Sequence, residues 1–382
     1  MYASRMRNLP PYLFARIDEM KAKQQTKGVD IIDLGVGDPD LPTPDHIVAS
    51  LCKAAKNPNN HHYPSYAGMP EYRSAVADWY KNRFGVSLDA EKEVLALMGS
   101  KDGIAHIAEA FVNPGDTVLV PSPGYPVYQT GTLFAEGRVH EMPLIQENNF
   151  VPVLDEVPKK VLKSAKLMFI NYPNNPTAAI APNGFYREVV DFAKEHNIIV
   201  VSDNAYSEIA YDGYRAPSFL ETKGAMEIGI EMHSLSKTYN MTGWRIGMAV
   251  GNTEILTGLG RVKTNVDSGV FNAVQFAAIT ALRGSQDCVK NACNIYQERR
   301  NVLITGLREL GFSVQAPKAT FYVWLPVNNC MTFVAKLLNE AGIVAAPGVG
   351  FGKHGEGYVR FAITRPVERI KEAITRMRGL DL

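Results

Sequence analysis

Through the middle of the chain, short apolar runs rich in β-branched residues alternate with stretches of helical period. Thr117–Val120, Leu167–Ile170, Ile198–Ser202 and Gly247–Val250 read as strands, and Glu93–Met98 as a buried one. Gly184–His196 gives the clearest helical spacing between them. Such a strand–helix–strand series predicts an α/β fold with a mainly parallel sheet, whose ligands sit past the carboxyl ends of the strands.

The N-terminal pattern is different. Arg5–Pro11 is a short irregular arm. An amphipathic helix follows from about Tyr12 to Lys27 and ends at Gly28, and Asp30–Leu34 is a strand running into the turn Gly35–Asp40. Asp45 is expected to cap a helix reaching about Ala55, with a longer helix at Glu71–Phe84 and another from Gly99 through Phe111. Beyond the sheet region, Phe271–Leu310 is one bent helix or two joined near Gly284–Ser285. Ser313–Leu382 reads as an α+β unit holding the strands Thr320–Leu325 and Gly357–Thr364.

Composition narrows the class. The 382 residues suit a large domain plus a smaller one, and 46% hydrophobic with 21% charged residues is the balance of a soluble globular protein. Lys and Arg number 40 against 39 Asp and Glu, a net charge of +1, which argues against nucleic acid as a partner. Cys52, Cys288, Cys293 and Cys330 form no CxxC pair and read as reduced thiols. His61 and His62 sit in a loop without a carboxylate or cysteine at ligand spacing, so no metal site is expected. No run reaches membrane-spanning length and the first residues lack a signal-type apolar core, so the expected location is the cytoplasm, with no membrane association.

The candidate chemistry lies just past the strand ends. Lys237 stands among small hydroxyl residues in Ser234-Leu235-Ser236-Lys237, with Arg245 eight residues on. A lysine so placed is either an ordinary exposed loop residue or a Schiff-base former whose ammonium is partly desolvated. Gly99-Ser100-Lys101 opens a helix after a strand, either as a plain cap or as an anion cradle. Tyr125, Asn175, Asp203 and Tyr206 follow other strand ends. Arg360 sits inside an apolar strand, which is costly unless it pairs with an anion, either a structural carboxylate or a substrate carboxylate. One ligand would use all of these groups: an aromatic aldehyde with a ring nitrogen, a phenolic oxygen and a phosphate, namely pyridoxal 5'-phosphate.

The ordered set Gly37, Tyr63, Ser100-Lys101, Tyr125, Asn174-Asn175-Pro176-Thr177, Asp203-x-x-Tyr206, Ser234-x-Ser236-Lys237, Arg245 and Arg360 resembles the fold-type-I, class I/II aminotransferases over essentially the whole chain. More narrowly, Asp33-Leu34-Gly35-Val36-Gly37-Asp38-Pro39-Asp40 and Gly99-Ser100-Lys101-Asp102-Gly103 resemble the LL-diaminopimelate aminotransferases. The resemblance implies a mainly parallel seven-stranded sheet in a large domain (48–280), a smaller α+β domain (281–382), and residues 1–47 as an arm and part of the smaller domain. It implies that Lys237 forms the imine and shuttles the proton. Asp203 pairs with the ring nitrogen, Tyr206 and Asn175 bind the ring oxygen, and Tyr125 stacks on the ring. Ser100, the Lys101 backbone, Ser234, Ser236 and Arg245 hold the phosphate, with Tyr63 reaching in from the second subunit of a homodimer. Arg360 takes the substrate carboxylate, helped by Asn175 and the Gly37 backbone. Tyr12 and the Lys101 side chain serve the rest of the substrate. The expected reaction is transamination between LL-2,6-diaminopimelate and 2-oxoglutarate in lysine biosynthesis, or the reverse from tetrahydrodipicolinate and glutamate. The alternative is an alanine, aspartate or broad-range aminotransferase. Two departures stand out: Ala178 where the family usually has glycine, and no arginine in the stretch Lys263–Asn272, expected to be a loop.

Overall fold

The computed structural model describes residues 1–7, 9 and 13–381. Its strands, in chain order, are β1 (Ile32–Asp33), β2 (Val94–Leu97), β3 (Thr117–Ser122), β4 (Arg138–Pro143), β5 (Ala165–Ile170), β6 (Ile199–Asp203), β7 (Gly229–Ser234), β8 (Gly247–Gly251), β9 (Tyr322–Pro326), β10 (Ile343–Val344), β11 (Ala346–Pro347) and β12 (Tyr358–Ala362). Seven of them form one sheet in the order β2-β8-β7-β6-β5-β3-β4. Neighbours from β7 to β4 are parallel, and β8 runs antiparallel to both β7 and β2. The mainly parallel seven-stranded sheet expected from the resemblance is present.

Its strands read as apolar runs because both faces are covered. On β5, Leu167 and Phe169 join one core while Met168 and Ile170 join the other, as the two-residue period of a strand requires. One face is closed by the helices Ser100–Phe111, Pro126–Phe134 and Thr253–Val266, through Ile104, Ile107, Tyr128 and Leu259. The other is closed by Pro70–Phe84, Phe185–His196 and Asn272–Arg283, through Tyr72, Tyr80, Val189 and Ala277.

Two strands of this sheet escaped the apolar pattern. β4 is an edge strand whose residues are mostly half-buried or exposed. β7 carries Glu231 and His233, both fully buried. Glu231 is tolerated there because Tyr80, Ser202, Ser218 and the Phe219 N–H all donate to it.

A second core gathers around the antiparallel sheet β11-β12-β9 and the helices Asp287–Glu309, Cys330–Ala341 and Val367–Met377. The stretch 271–310 is two helices, Asn272–Arg283 and Asp287–Glu309. The second begins against the large-sheet core at Val289 and ends in the other core at Leu303 and Leu307. Only Ile32–Asp33 of the expected Asp30–Leu34 strand pairs, in parallel with β10. Leu34 then links two elements: its N–H donates to Val344 O (2.9 Å) and its carbonyl accepts from Ala362 N (2.6 Å). The Gly35–Gly37 turn hangs from this junction.

Three smaller expectations are corrected. Residues Ser4–Arg7 form a helical turn within the supposed irregular arm. Asp45 does not cap its helix: Pro44 occupies the cap, and Asp45 sits in the first turn, where its charge suits the helix dipole. Lys263 is not in a loop but within the Thr253–Val266 helix, buried against Asp102 and Asp267.

Candidate active site

The parallel strands deliver their following residues to one edge. Tyr125 comes after β3, Asn175 after β5, Asp203 ends β6, and Ser234 ends β7 with Ser236 and Lys237 just beyond it. Because β8 runs the other way, Arg245, two residues before it, reaches that same edge. With Gly35, Gly37, Tyr322 and Arg360 from the second layer, these residues line one cavity of about 660 Å³.

Lys237 lies on the short helix Leu235–Thr238, opened by Ser234, whose hydroxyl accepts from Ser236 N (3.2 Å). Its Nζ donates to Gly37 O (3.2 Å). Burial lowers the amine to about 8; Asp38 opposes that, and Arg245 and Arg360 add to it. Across the cavity floor, Asp203 is buried, and among the described residues no lysine or arginine pairs with it. Its carboxylate accepts from Tyr128 Oη (2.7 Å) and Ala205 N (3.3 Å), yet burial still pushes it up to about 6. Asn171 donates to the Asp203 carbonyl (2.7 Å) and fixes the following turn against β6.

Among the described residues, no carboxylate pairs with Arg360. Its guanidinium donates to Asn175 Oδ1 (2.8 Å) and Gly35 O (2.7 Å), and its Nε has no partner among the described residues. It lies 4.1 Å from the Tyr322 ring centroid and 4.6 Å from that of Phe351. A cation buried on neutral partners and two aromatic faces is an anchor for an anion. Of the two pairings open at the sequence level, the structural carboxylate is therefore excluded among the described residues. The Gly37 carbonyl accepts from Lys237, and the Gly35 carbonyl accepts from the arginine.

A second anion-seeking patch sits at the start of the Ser100–Phe111 helix. Gly99 has φ +76°, a backbone conformation that favours glycine, and the Arg245 guanidinium packs into the space a side chain there would take. That guanidinium donates to Thr242 O (2.8 Å) and Met98 O (3.2 Å), both carbonyls, and among the described residues no carboxylate pairs with it. Ser236 Oγ is buried with no partner among the described residues. The helix turn is pinned from behind by Asp102, which accepts from Met98 N, His106 and Lys263. Burial alone would raise Asp102, but His106 and Lys263 hold it at about 2.

Tyr125 leans edge-on toward Tyr128 at the cavity wall (5.8 Å, 79°). The Lys101 side chain is exposed at the rim. Tyr63 does not join this cavity; it is 89% exposed on the surface. Tyr12 lies outside the described residues. Tyr128, Asn171, Tyr322 and Phe351 escaped the sequence reading, as did Asp18 on the Leu13–Thr26 helix, which lines the mouth. The first two had a signal in their neighbourhood, one turn past Tyr125 and at the head of the asparagine motif. Tyr322 and Phe351 meet Arg360 only through tertiary packing.

Residues 29–377 match the model of the family described as aminotransferase class I and II. The chain belongs to this family. Among curated relatives of this aminotransferase, the LL-diaminopimelate aminotransferase of Syntrophobacter fumaroxidans is 58% identical, covering 99% of this chain and 98% of the relative. That of Desulforudis audaxviator is 56% identical, covering 99% and 97%. Among solved structures, substrate-bound BacF from Bacillus subtilis superposes with a TM-score of 0.95 at 39% identity, covering 100% of this chain and 98% of the other. A double mutant of Thermus thermophilus aspartate aminotransferase gives 0.93 at 29% identity, covering both chains completely.

Proposed function

We propose that this aminotransferase moves an amino group between LL-2,6-diaminopimelate and 2-oxoglutarate in lysine biosynthesis, using pyridoxal 5'-phosphate, as a cytoplasmic homodimer with shared sites. The observation that carries the substrate is the run of relatives at 51–58% identity, matched over nearly their whole length, that bear this one name.

The residues fit the cofactor. A buried carboxylate without a cation, an orphaned serine hydroxyl beside an unneutralised arginine, and an amine lowered to about 8 form a charge set that lacks its complement. A phosphorylated pyridine aldehyde supplies each missing part: Lys237 would take its aldehyde, Asp203 its ring nitrogen, Tyr206 and Asn175 its ring oxygen. Ser100, the Lys101 backbone, Ser234, Ser236, Arg245 and the partner's Tyr63 would hold its phosphate. Bound there, the cofactor accepts the amino group and spreads the charge left when the α-proton departs.

The chain does the rest. Arg360 anchors the substrate carboxylate beside Asn175 and so orients the α-carbon. The Lys237 amine, lowered toward neutrality, takes the α-proton and returns it. Tyr125, Tyr322 and Phe351 exclude water. At the mouth, Lys101 and Asp18 offer opposite charges, which suits the carboxylate and ammonium at the far end of diaminopimelate.

A donor panel with 2-oxoglutarate tests the reading. LL-diaminopimelate should exceed alanine, aspartate and tyrosine in kcat/KM. A clear preference for aspartate or alanine would replace the substrate and leave the aminotransferase assignment intact.

A further inference from the structure

Tyr322 stands where three parts of the site meet. It lies on β9 and pairs across β12 with Ala362, while Arg360 pairs with Trp324. The two-residue period puts Tyr322 and Arg360 on one face as diagonal neighbours, which is why the guanidinium lies over the phenol ring at 4.1 Å. The Tyr322 hydroxyl is 3.0 Å from the Tyr206 hydroxyl, and the rings meet at 67°. Both tyrosines are buried. On the other side the same hydroxyl fills the space above Gly37, where any side chain would collide with it.

We propose that Tyr322 is a positioning residue that donates its hydroxyl hydrogen to Tyr206 and so sets the strength with which Tyr206 binds a ring oxygen, while its ring cradles Arg360. The inference rests on the pyridoxal phosphate reading of this cavity. A hydroxyl has one hydrogen. When Tyr206 gives its own to an anionic ring oxygen, the hydrogen between the two phenols must come from Tyr322. A phenol that accepts a hydrogen bond is a better donor, so the pair polarises as a relay toward the ring oxygen. Tyr322 thereby joins the carboxylate anchor to the electronics of the ring without touching the reacting atoms. Burial raises Tyr206 well above the ordinary tyrosine range, and Tyr322 raises it further, so the Tyr206 phenol keeps its hydrogen for the ring oxygen at working pH.

The test is a pH titration of the visible band of the protein loaded with pyridoxal phosphate. Tyr322→Phe keeps the ring over Arg360 and removes only the relay. Ring-oxygen charge is then less stabilised, and the midpoint should rise by about half to one pH unit, the size of one neutral hydrogen bond. Tyr206→Phe should raise it by more, and adding Tyr322→Phe to Tyr206→Phe should change nothing further. Tyr322→Leu should show the same rise together with an increase in KM for the amino donor, because the support of Arg360 goes as well. A Tyr322→Phe midpoint equal to wild type, or a shift that adds fully to that of Tyr206→Phe, overturns the relay. A wild-type protein that takes up the aldehyde but shows no pH-dependent band also overturns it. A wild-type protein that takes up none overturns the cofactor reading itself.

Discussion

Replacing Asp203 by asparagine should make the cofactor-free protein more stable while disabling the enzyme. Asp203 is buried without a cationic partner, and burial moves it from 3.8 to about 6. Between those values the folded protein binds a proton that the unfolded chain has released. Stability therefore falls as pH rises through this window, and the loss is complete above about pH 6. A shift of about two units, at about 1.4 kcal/mol each, makes the loss about 3 kcal/mol at neutral pH. An asparagine side chain in its place would carry no charge; its amide oxygen could still accept from the Ala205 N–H while its amide nitrogen donates to the Tyr128 hydroxyl oxygen. For 382 residues the unfolding entropy is about 0.8 kcal/mol/K, so the gain corresponds to about 3–4 °C in Tm. Calorimetry of the stripped protein at pH 7.5 and pH 4 reads it. Asp203→Asn should unfold higher at pH 7.5 and level with wild type at pH 4. An equal or lower Tm at pH 7.5, or the same gain at both pH values, refutes the reasoning.

Three further outcomes follow from the same geometry. Lys237→Ala should lower transamination by about 10⁴-fold or more in steady-state assays with glutamate, since in the proposed function its amine is both the imine former and the proton carrier. Asp18→Asn should cut kcat/KM for LL-diaminopimelate about two- to fivefold and leave glutamate unchanged, because glutamate has no distal ammonium; equal losses on both donors would remove Asp18 from substrate reading. Mixing Lys237→Ala with Tyr63→Ala subunits should restore activity in hybrid dimers, up to about half of the wild-type sites, if Tyr63 serves the neighbouring site. Hybrids as inactive as their parents would show that it does not.

The parts of this molecule that could be read from its sequence are those where one residue type can serve only one purpose. Buried parallel strands such as β5 show as apolar runs because no face meets water. β7 did not show, since its buried Glu231 is satisfied by donors from Tyr80, Ser202 and Ser218, far from it or on other elements. The same limit applied at the site. Lys237, Asp203 and Arg360 are out of place in apolar surroundings and were visible for that reason. Tyr322 looks like any strand aromatic until the β9–β12 register sets it against Arg360. Asp18 looks like any helix surface residue until the helix is laid across the cavity mouth.

The reversed strand β8 has a consequence for how the site comes into being. It is inserted between β2 and β7, so the anion patch draws on Gly99–Ser100, Ser234–Ser236 and Arg245 at once. No local stretch holds more than a fragment of it. A chain emerging from synthesis lacks the proposed phosphate-binding patch until β8 has zipped into the sheet, about 150 residues after the helix start that it completes. On the proposed cofactor reading, tight capture is thus a report that the last strand of the large sheet is home, and partly folded chains are denied the stabilisation it brings.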